Sequence, residues 1–526
     1  MLSLSLFIAF LVAGALYLRR IGSRERGLPP GPPTLPIIGN LHIFPTEFPH
    51  YIFTKWARKY GGIYSLKLGT RTIIVLTDPK LVKELMETRN ASTSDRPASH
   101  IVELVTGGFH VGLGRYGDTW RTQRKTAHAI LGAQAVARLL PIQRAEATQL
   151  LYDLLPTLEG FFTHVERYSH SVIMSALYGI RSPRYDSLEL TAFFRMIHEW
   201  GAIHEPGATP PIDLFPILKL VPERFAPWKQ RARRIRQSQR ELYFALLDKT
   251  IQRMGKGERN GCFMEEVLER EEEFGFHKEM TGYFAGTLME AGSETTSSFL
   301  KTLILCLVAY PEVQQRAQAE IDRVVGAERL PTLEDLEKLP YIRSLIFETH
   351  RFRPNLPLLM PHATTAPEMC GGYMIPSGST IFVNLWGISH NPELYDDPDN
   401  FVPERYLRSE NGTKPGVDAS SLKPTLPFGV GRRSCPGIHL AQNSININVI
   451  NLLWAFDFKP AVDAEGKPIK PDTFAYHKGI ATAPLPFRCT IASRSEEKAH
   501  IIRQEFLDAG EIFQRFEAGL AEESAR

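Results

Sequence analysis

From residue 119 into the 270s, apolar residues recur at three- and four-residue steps, a period that predicts a mainly helical chain. Residues 278–310 read as one long helix and Ile438–Ala455 as another. Residues 64–68 and 72–76 read instead as short strands around a turn at Gly69, and Asp78-Pro79 starts a helix. The helical pattern breaks at 206–222, a proline-rich loop carrying Ile212, Leu214, Phe215, Ile217 and Leu218. Ordinary packing under a long loop and contact with a bilayer are its two readings. A basic run follows (Lys229, Arg231, Arg233, Arg234, Arg236, Arg240) and reads as a solvated helix face or a headgroup contact. In the tail, Ile502, Phe506, Ala509, Phe513, Phe516 and Leu520 step by four and three between charges. That predicts an amphipathic helix, with docking on its own domain favoured over contact with membrane or a partner.

The first eighteen residues carry no charged side chain, and Arg19 and Arg20 follow at once. Eighteen helical residues span roughly 27 Å, enough for a thin bilayer. The positive-inside rule puts Arg19, Arg20, Arg24 and Arg26 in the cytosol. A cleaved signal peptide competes, through Ala13-Gly14-Ala15, but its positive charges would lie on the wrong side of the apolar run. The resulting organisation is a transmembrane anchor (1–20), a proline-rich hinge and linker (21–50), one large domain (51–492) and a C-terminal amphipathic helical extension (493–526). Leu28-Pro29-Pro30-Gly31-Pro32-Pro33 reads as a stiff, extended spacer. The sequons at Asn90 and Asn411 are expected to stay unglycosylated in a cytosolic domain of a single-pass endoplasmic reticulum protein.

The chain has 526 residues, 43% hydrophobic and 23% charged, which is ordinary globular composition. A net charge of +3 makes no case for nucleic acid. The five cysteines are odd in number and widely spaced, which argues against a disulfide framework and a zinc site. One of them stands apart, in Phe428-Gly429-Val430-Gly431-Arg432-Arg433-Ser434-Cys435-Pro436-Gly437, directly before the predicted helix Ile438–Ala455. Placed near an N-cap with Pro436 at the first helical position, the Cys435 thiolate would gain from the helix dipole and nearby N–H groups. Gly431 and Gly437 would let backbone approach closely. Phe428 would shield the sulfur, and Arg433 would reach a carboxylate. Such a thiolate describes an axial ligand for haem iron; the bland alternative is a free cysteine in a surface loop.

Phe428, Gly431, Arg433, Cys435 and Gly437 match the Cys-loop signature of the cytochrome P450 haem-thiolate monooxygenases, which this chain resembles from about Leu28 to about Thr490. The resemblance implies a mainly α fold with a small β-rich lobe and an N-terminal transmembrane helix. It implies haem b with an axial thiolate from Cys435, and cofactor contacts from Trp120, Arg124, His362, Phe428, Arg433 and Gly437. In Ala291-Gly292-Ser293-Glu294-Thr295-Thr296 it implies an oxygen-activation motif, Glu294 relaying protons and Thr295 positioning water, against the alternative of a local helix kink. A small residue at Ala291 or Gly292 would let that helix lie against the porphyrin. Glu348, Arg351 and Arg405 become a buried ionic triad; Glu320 and Arg323, at the same spacing as Glu348 and Arg351, read as a surface pair. The implied reaction uses O2 and electrons from NADPH through a flavoprotein reductase docking near Arg432 and Lys125, with cytochrome b5 as a further partner. Rivals are a haem-thiolate isomerase or dehydratase and a haem sensor. The candidate pocket (Phe109, Val111, 200–204, Gly286, Glu290, 356–359, Gly479, Ile480) is largely apolar, which implies a lipophilic small molecule. The general look resembles fungal members serving secondary metabolism.

Overall fold

The computed structural model describes residues 21–156, 160–205 and 207–517, together with Gly14. The expected anchor, apart from Gly14, lies outside the described residues, among which no single helix is long and apolar enough to cross a membrane.

Helix α1 (Pro49–Tyr60) leads into strands β1 (Ile63–Leu68) and β2 (Arg71–Leu76). Then come α2 (His100–Thr106), α3 (Asp118–Ile130), α4 (Leu140–Leu154), α5 (Phe161–Tyr178), α6 (Leu188–Ala202) and α7 (Pro227–Gly255). The middle of the chain forms α8 (Lys278–Ala309), α9 (Pro311–Val324) and α10 (Pro340–Phe352). Short strands β3 (His362–Ala363), β4 (Glu368–Cys370), β5 (Tyr373–Ile375) and β6 (Thr380–Val383) follow. Helix α11 (Ile438–Ala455) runs into β7 (Phe456–Pro460), which pairs with β8 (Cys489–Ser493); α12 (Glu496–Asp508) and α13 (Gly510–Glu517) come last. The β-rich lobe is a four-stranded sheet in the order β1-β2-β6-β3, with β2 and β6 parallel and Ile73 opposite Thr380.

Helix α8 organises the core. It is 32 residues long, about 48 Å at 1.5 Å per residue, and buried on nearly every side. It stops where Tyr310, before Pro311, leaves the helical region at φ −129° and ψ 71°. Its first half packs with α5, α6 and α7 through residues such as Ile173, Phe193, Leu246 and Phe284. Its second half packs with α4, α10 and α11 through Leu151, Leu303, Ile342 and Ile450. Gly292 permits the close approach of α5: a Cβ there would lie 2.6 Å from Ile173 Cγ1. Ser169 Oγ of α5 donates to the Gly292 carbonyl at 3.0 Å.

The periphery is tied to the domain at several points. The proline segment lies against the domain: Ser65 of β1 donates its N–H to the Pro30 carbonyl at 2.8 Å and its hydroxyl to the Pro29 carbonyl at 2.6 Å. The tail is two helices, broken at Ala509-Gly510, and it does dock on its own domain. Ile502, Ala509, Phe513 and Phe516 are buried, and Phe506 stacks on Tyr152 of α4 at 4.1 Å; Leu520 lies outside the described residues. In the loop before α7, Ile212 is buried, while Ile217 and Leu220 are 71% and 76% exposed, with Phe215 and Phe225 also at the surface. The basic run is largely engaged locally: Lys229 donates to the Lys219 and Val221 carbonyls at 2.7 Å, and Arg231 and Arg233 pair with Glu199 and Glu223.

Candidate active site

The Cys435 loop closes on itself, Cys435 N–H donating to the Phe428 carbonyl at 2.7 Å. Gly431 takes φ +60°, and a Cβ there would lie 2.3 Å from the Met86 carbonyl oxygen, so this glycine serves packing on the Met86 backbone. Gly437 differs: no atom lies within 4 Å of its Cβ position, which leaves room over the backbone beside the cysteine. Helix α11 begins at Ile438 with Gly437 as N-cap, so Pro436 is outside the helix and Cys435 sits further from the dipole than expected. Burial raises the thiol above its ordinary value, and the Gly437 N–H and Arg124 act in the opposite direction. A bound metal ion would complete the deprotonation. Phe428 is half-buried and meets His350 edge-on at 5.4 Å.

A group of buried cations lies beside this loop. Arg433 spans from the Ser94 carbonyl (2.8 Å) to the Gly114 carbonyl (2.9 Å), with its guanidinium 3.9 Å over the Trp120 ring. The Trp120 indole N–H donates to the Val111 carbonyl at 3.2 Å. Arg124 reaches His128 Nε2 at 3.0 Å and the Ser434 carbonyl. His362 Nδ1 lies 2.8 Å from the Thr93 carbonyl. Arg96, which carries no spacing signal in the sequence, completes the group by donating to the Met360, Pro361 and Gly112 carbonyls. Burial and then Arg96 push Arg433 down to about 8, and burial pushes Arg96 down to about 9. Burial and Arg96 also hold His362 well below the usual imidazole range. The nearby acid, Asp95, is already held by Arg115 at 2.8 Å and the Tyr116 N–H at 2.6 Å. Three buried guanidiniums and an imidazole are thus short of anions, and a prosthetic group bearing carboxylates supplies them.

Opposite chemistry comes from α8. Ala291 is exposed in the middle of this buried helix, so it faces an interior opening, whereas Gly292 faces α5. Thr295 Oγ1 donates to the Ala291 carbonyl at 2.9 Å, and Asn355 Nδ2 donates to the Thr295 carbonyl at 2.8 Å. Burial, and after it Glu290, raise the Glu294 carboxyl to about 7. A soft ligand, a wall with open space at Ala291 and Gly437, and a cationic edge fit a haem.

The structure assembles Glu348, Arg351 and Arg405 as expected. Glu348 is fully buried, with Arg351 Nε at 2.7 Å and Arg405 Nε at 3.0 Å from Oε2, and the Val402 N–H at 2.8 Å from Oε1. Glu320 corrects its reading as half of a surface pair with Arg323. It is buried and accepts the Tyr341 and Ile342 N–H groups at 3.1 and 3.0 Å, satisfying the start of α10.

Fold and site together define a haem-thiolate oxidoreductase, and the comparisons agree. A family model described as Cytochrome P450 matches residues 29–490. A cytochrome P450 monooxygenase of Armillaria gallica is 46% identical over 512 residues, covering 97% of this chain and 98% of the relative. The cytochrome P450 monooxygenase atE of Aspergillus terreus is 37% identical over 523 residues, covering 98% and 97%. A zebra fish cytochrome P450 solved with progesterone shares the fold at a TM-score of 0.70 and 24% identity, over 85% of this chain and 99% of that one. The chain belongs to the cytochrome P450 family and is a monooxygenase by its relatives, which brings haem with thiolate ligation and O2 as co-substrate.

Proposed function

We propose that this P450 inserts one oxygen atom from O2 into a small molecule with a lipophilic body, drawing electrons from NADPH through a flavoprotein reductase. The observation that carries the reading is the Glu294–Thr295 pair beside exposed Ala291 on α8. When bound, a thiolate-ligated haem supplies the oxidising chemistry. Cys435 would hold it through its thiolate, and Arg96, Arg124, Arg433, Trp120 and His362 would hold its carboxylates. Thr295 Oγ1 uses its proton on the Ala291 carbonyl, so its lone pairs remain for a water molecule. A Glu294 carboxyl near 7 takes up and releases a proton at neutral pH, which suits proton delivery from solvent to a water molecule held by Thr295. An isomerase or dehydratase needs no such relay.

Lys125 and Arg432, both exposed, are the proposed docking cations for the reductase, with cytochrome b5 as an alternative donor. The proposed location is the cytosolic face of the endoplasmic reticulum membrane, supported by the charge-free stretch at 1–18 and by exposed Phe215, Ile217, Leu220 and Phe225. The fungal source of the relatives supports a role in fungal secondary metabolism. The decisive experiment supplies the purified enzyme with a reductase, NADPH, 18O2 and a compound found by its substrate-induced spectral shift. One labelled oxygen in the product is expected; an unlabelled product formed without NADPH would point to the isomerase reading.

A further inference from the structure

The interior beside α8 is not wholly apolar. Glu290, one residue before Ala291, is 7% exposed and gathers side chains from other elements. Tyr243 of α7 donates its hydroxyl to Glu290 Oε1, and Gln239 Nε2, one turn earlier on α7, donates to the same oxygen at 3.2 Å. His110, between α2 and α3, faces Oε2 through its Nε2 at 3.3 Å. Its Nδ1 accepts the Gly112 and Leu113 N–H groups at 3.1 and 3.2 Å, which places the ring proton on Nε2 and makes His110 a donor to Glu290. His204, just beyond α6, belongs to the same neighbourhood: the Trp200 ring stands 6.1 Å from His110 and 4.2 Å from His204.

Two acceptors here are buried without a hydrogen-bond partner among the described residues, Gln239 Oε1 and His204 Nε2. Gln239 is 1% exposed, and turning its amide would set an oxygen against Glu290 Oε1, so the bare carbonyl cannot be relieved locally. His204 Nδ1 pairs with the Trp200 carbonyl at 2.8 Å, and burial keeps the ring neutral, so Nε2 is a lone pair. Buried polar groups are normally satisfied, and two bare acceptors in one cluster call for a ligand that donates. Two of its members are chain neighbours of residues at the reaction site. Glu290 precedes Ala291, and His110 precedes Val111, whose carbonyl takes the Trp120 indole N–H.

We propose that Glu290, His110, Gln239, Tyr243 and His204 form a polar end to the substrate cavity that selects hydroxyl-bearing substrates, with Gln239 Oε1 and His204 Nε2 accepting the substrate O–H. The proposal rests on the monooxygenase reading and narrows its substrate class: an apolar body carrying an alcohol or phenol. It revises the expectation of an apolar pocket, in which Gly286 too is better explained by packing, its Cβ position lying 2.3 Å from the Tyr243 ring. These are positioning residues. A site built to bond a hydroxyl rejects the analogue that lacks it, because its acceptors would be left bare.

The test uses the full-length haem-loaded enzyme and matched probes: naphthalene with 2-naphthol, biphenyl with 4-phenylphenol, and decane with 1-decanol. Binding is followed both by the Soret shift and by quenching of tryptophan emission, which Trp200 makes sensitive to this cluster without requiring haem. The wild type is expected to bind the hydroxyl member of at least one pair about ten-fold or more tightly. Gln239→Leu and His204→Phe should each largely abolish that preference; Gln239→Met replaces the first if it folds poorly. Equal affinity within every pair, no binding of any hydroxyl probe, or a preference that survives both substitutions would overturn the proposal. A hydroxyl preference in emission from full-length protein that purifies with no Soret band would sink the haem assignment and leave the polar end standing.

Discussion

Glu348 holds two guanidiniums and a backbone N–H in a fully buried site, so truncating it strands two charges. Glu348→Ala is expected to cost about 3–5 kcal/mol and to yield little haem-loaded protein, measured as the ratio of Soret to protein absorbance. Thr295→Ala should leave the fold intact but uncouple the reaction, with NADPH still consumed and hydrogen peroxide replacing product; unchanged coupling would remove Thr295 from the relay. Glu294 gives a signed pH effect. Its carboxyl titrates from 4.5 when unfolded to about 7 in the folded protein, so between these values the folded state binds more protons and loses stability as pH rises. Glu294→Gln removes this loss, and its melting temperature relative to wild type should climb from pH 4.5 to pH 8. Cys435 was legible because its signature is local, five positions in ten residues. Arg96 and the caps made by Glu320 were not, because their partners at Met360, Pro361, Tyr341 and Ile342 arrive only through the tertiary fold.

At the scale of elements, periodicity located α8 and α11 nearly to the residue, since both are long and ended by strong signals: Pro311 after one, the strand-forming Phe456–Pro460 after the other. It failed at the tail, where apolar steps run through Gly510 unbroken while the backbone breaks into α12 and α13. The two helices are fastened by more than grease. Arg181 lies 3.7 Å over the Phe513 ring, pairs with Glu517 at 2.5 Å and bonds Glu146, which is fully buried with Arg167. Phe513→Ala should therefore cost roughly 3–5 kcal/mol, read as a lowered urea midpoint with unchanged slope. A cost near zero would make the tail an ornament rather than part of the core.

At the scale of the whole molecule, exposed Phe215, Ile217, Leu220 and Phe225 give the surface a greasy corner next to the start of α7. In protein lacking residues 1–20, Ile217→Asp with Leu220→Asp is expected to lower sedimentation with phosphatidylcholine–phosphatidylinositol vesicles several-fold; equal sedimentation would assign the corner to some other contact. The sheet and the cofactor cradle share another trait: each joins distant parts of the chain. Strand β2 waits for β6, Arg96 waits for Met360 and Pro361, and Arg124 waits for the Cys435 loop. A ribosome must therefore deliver most of this polypeptide before either can close, and a pigment would find its full set of holding residues only in a nearly finished protein.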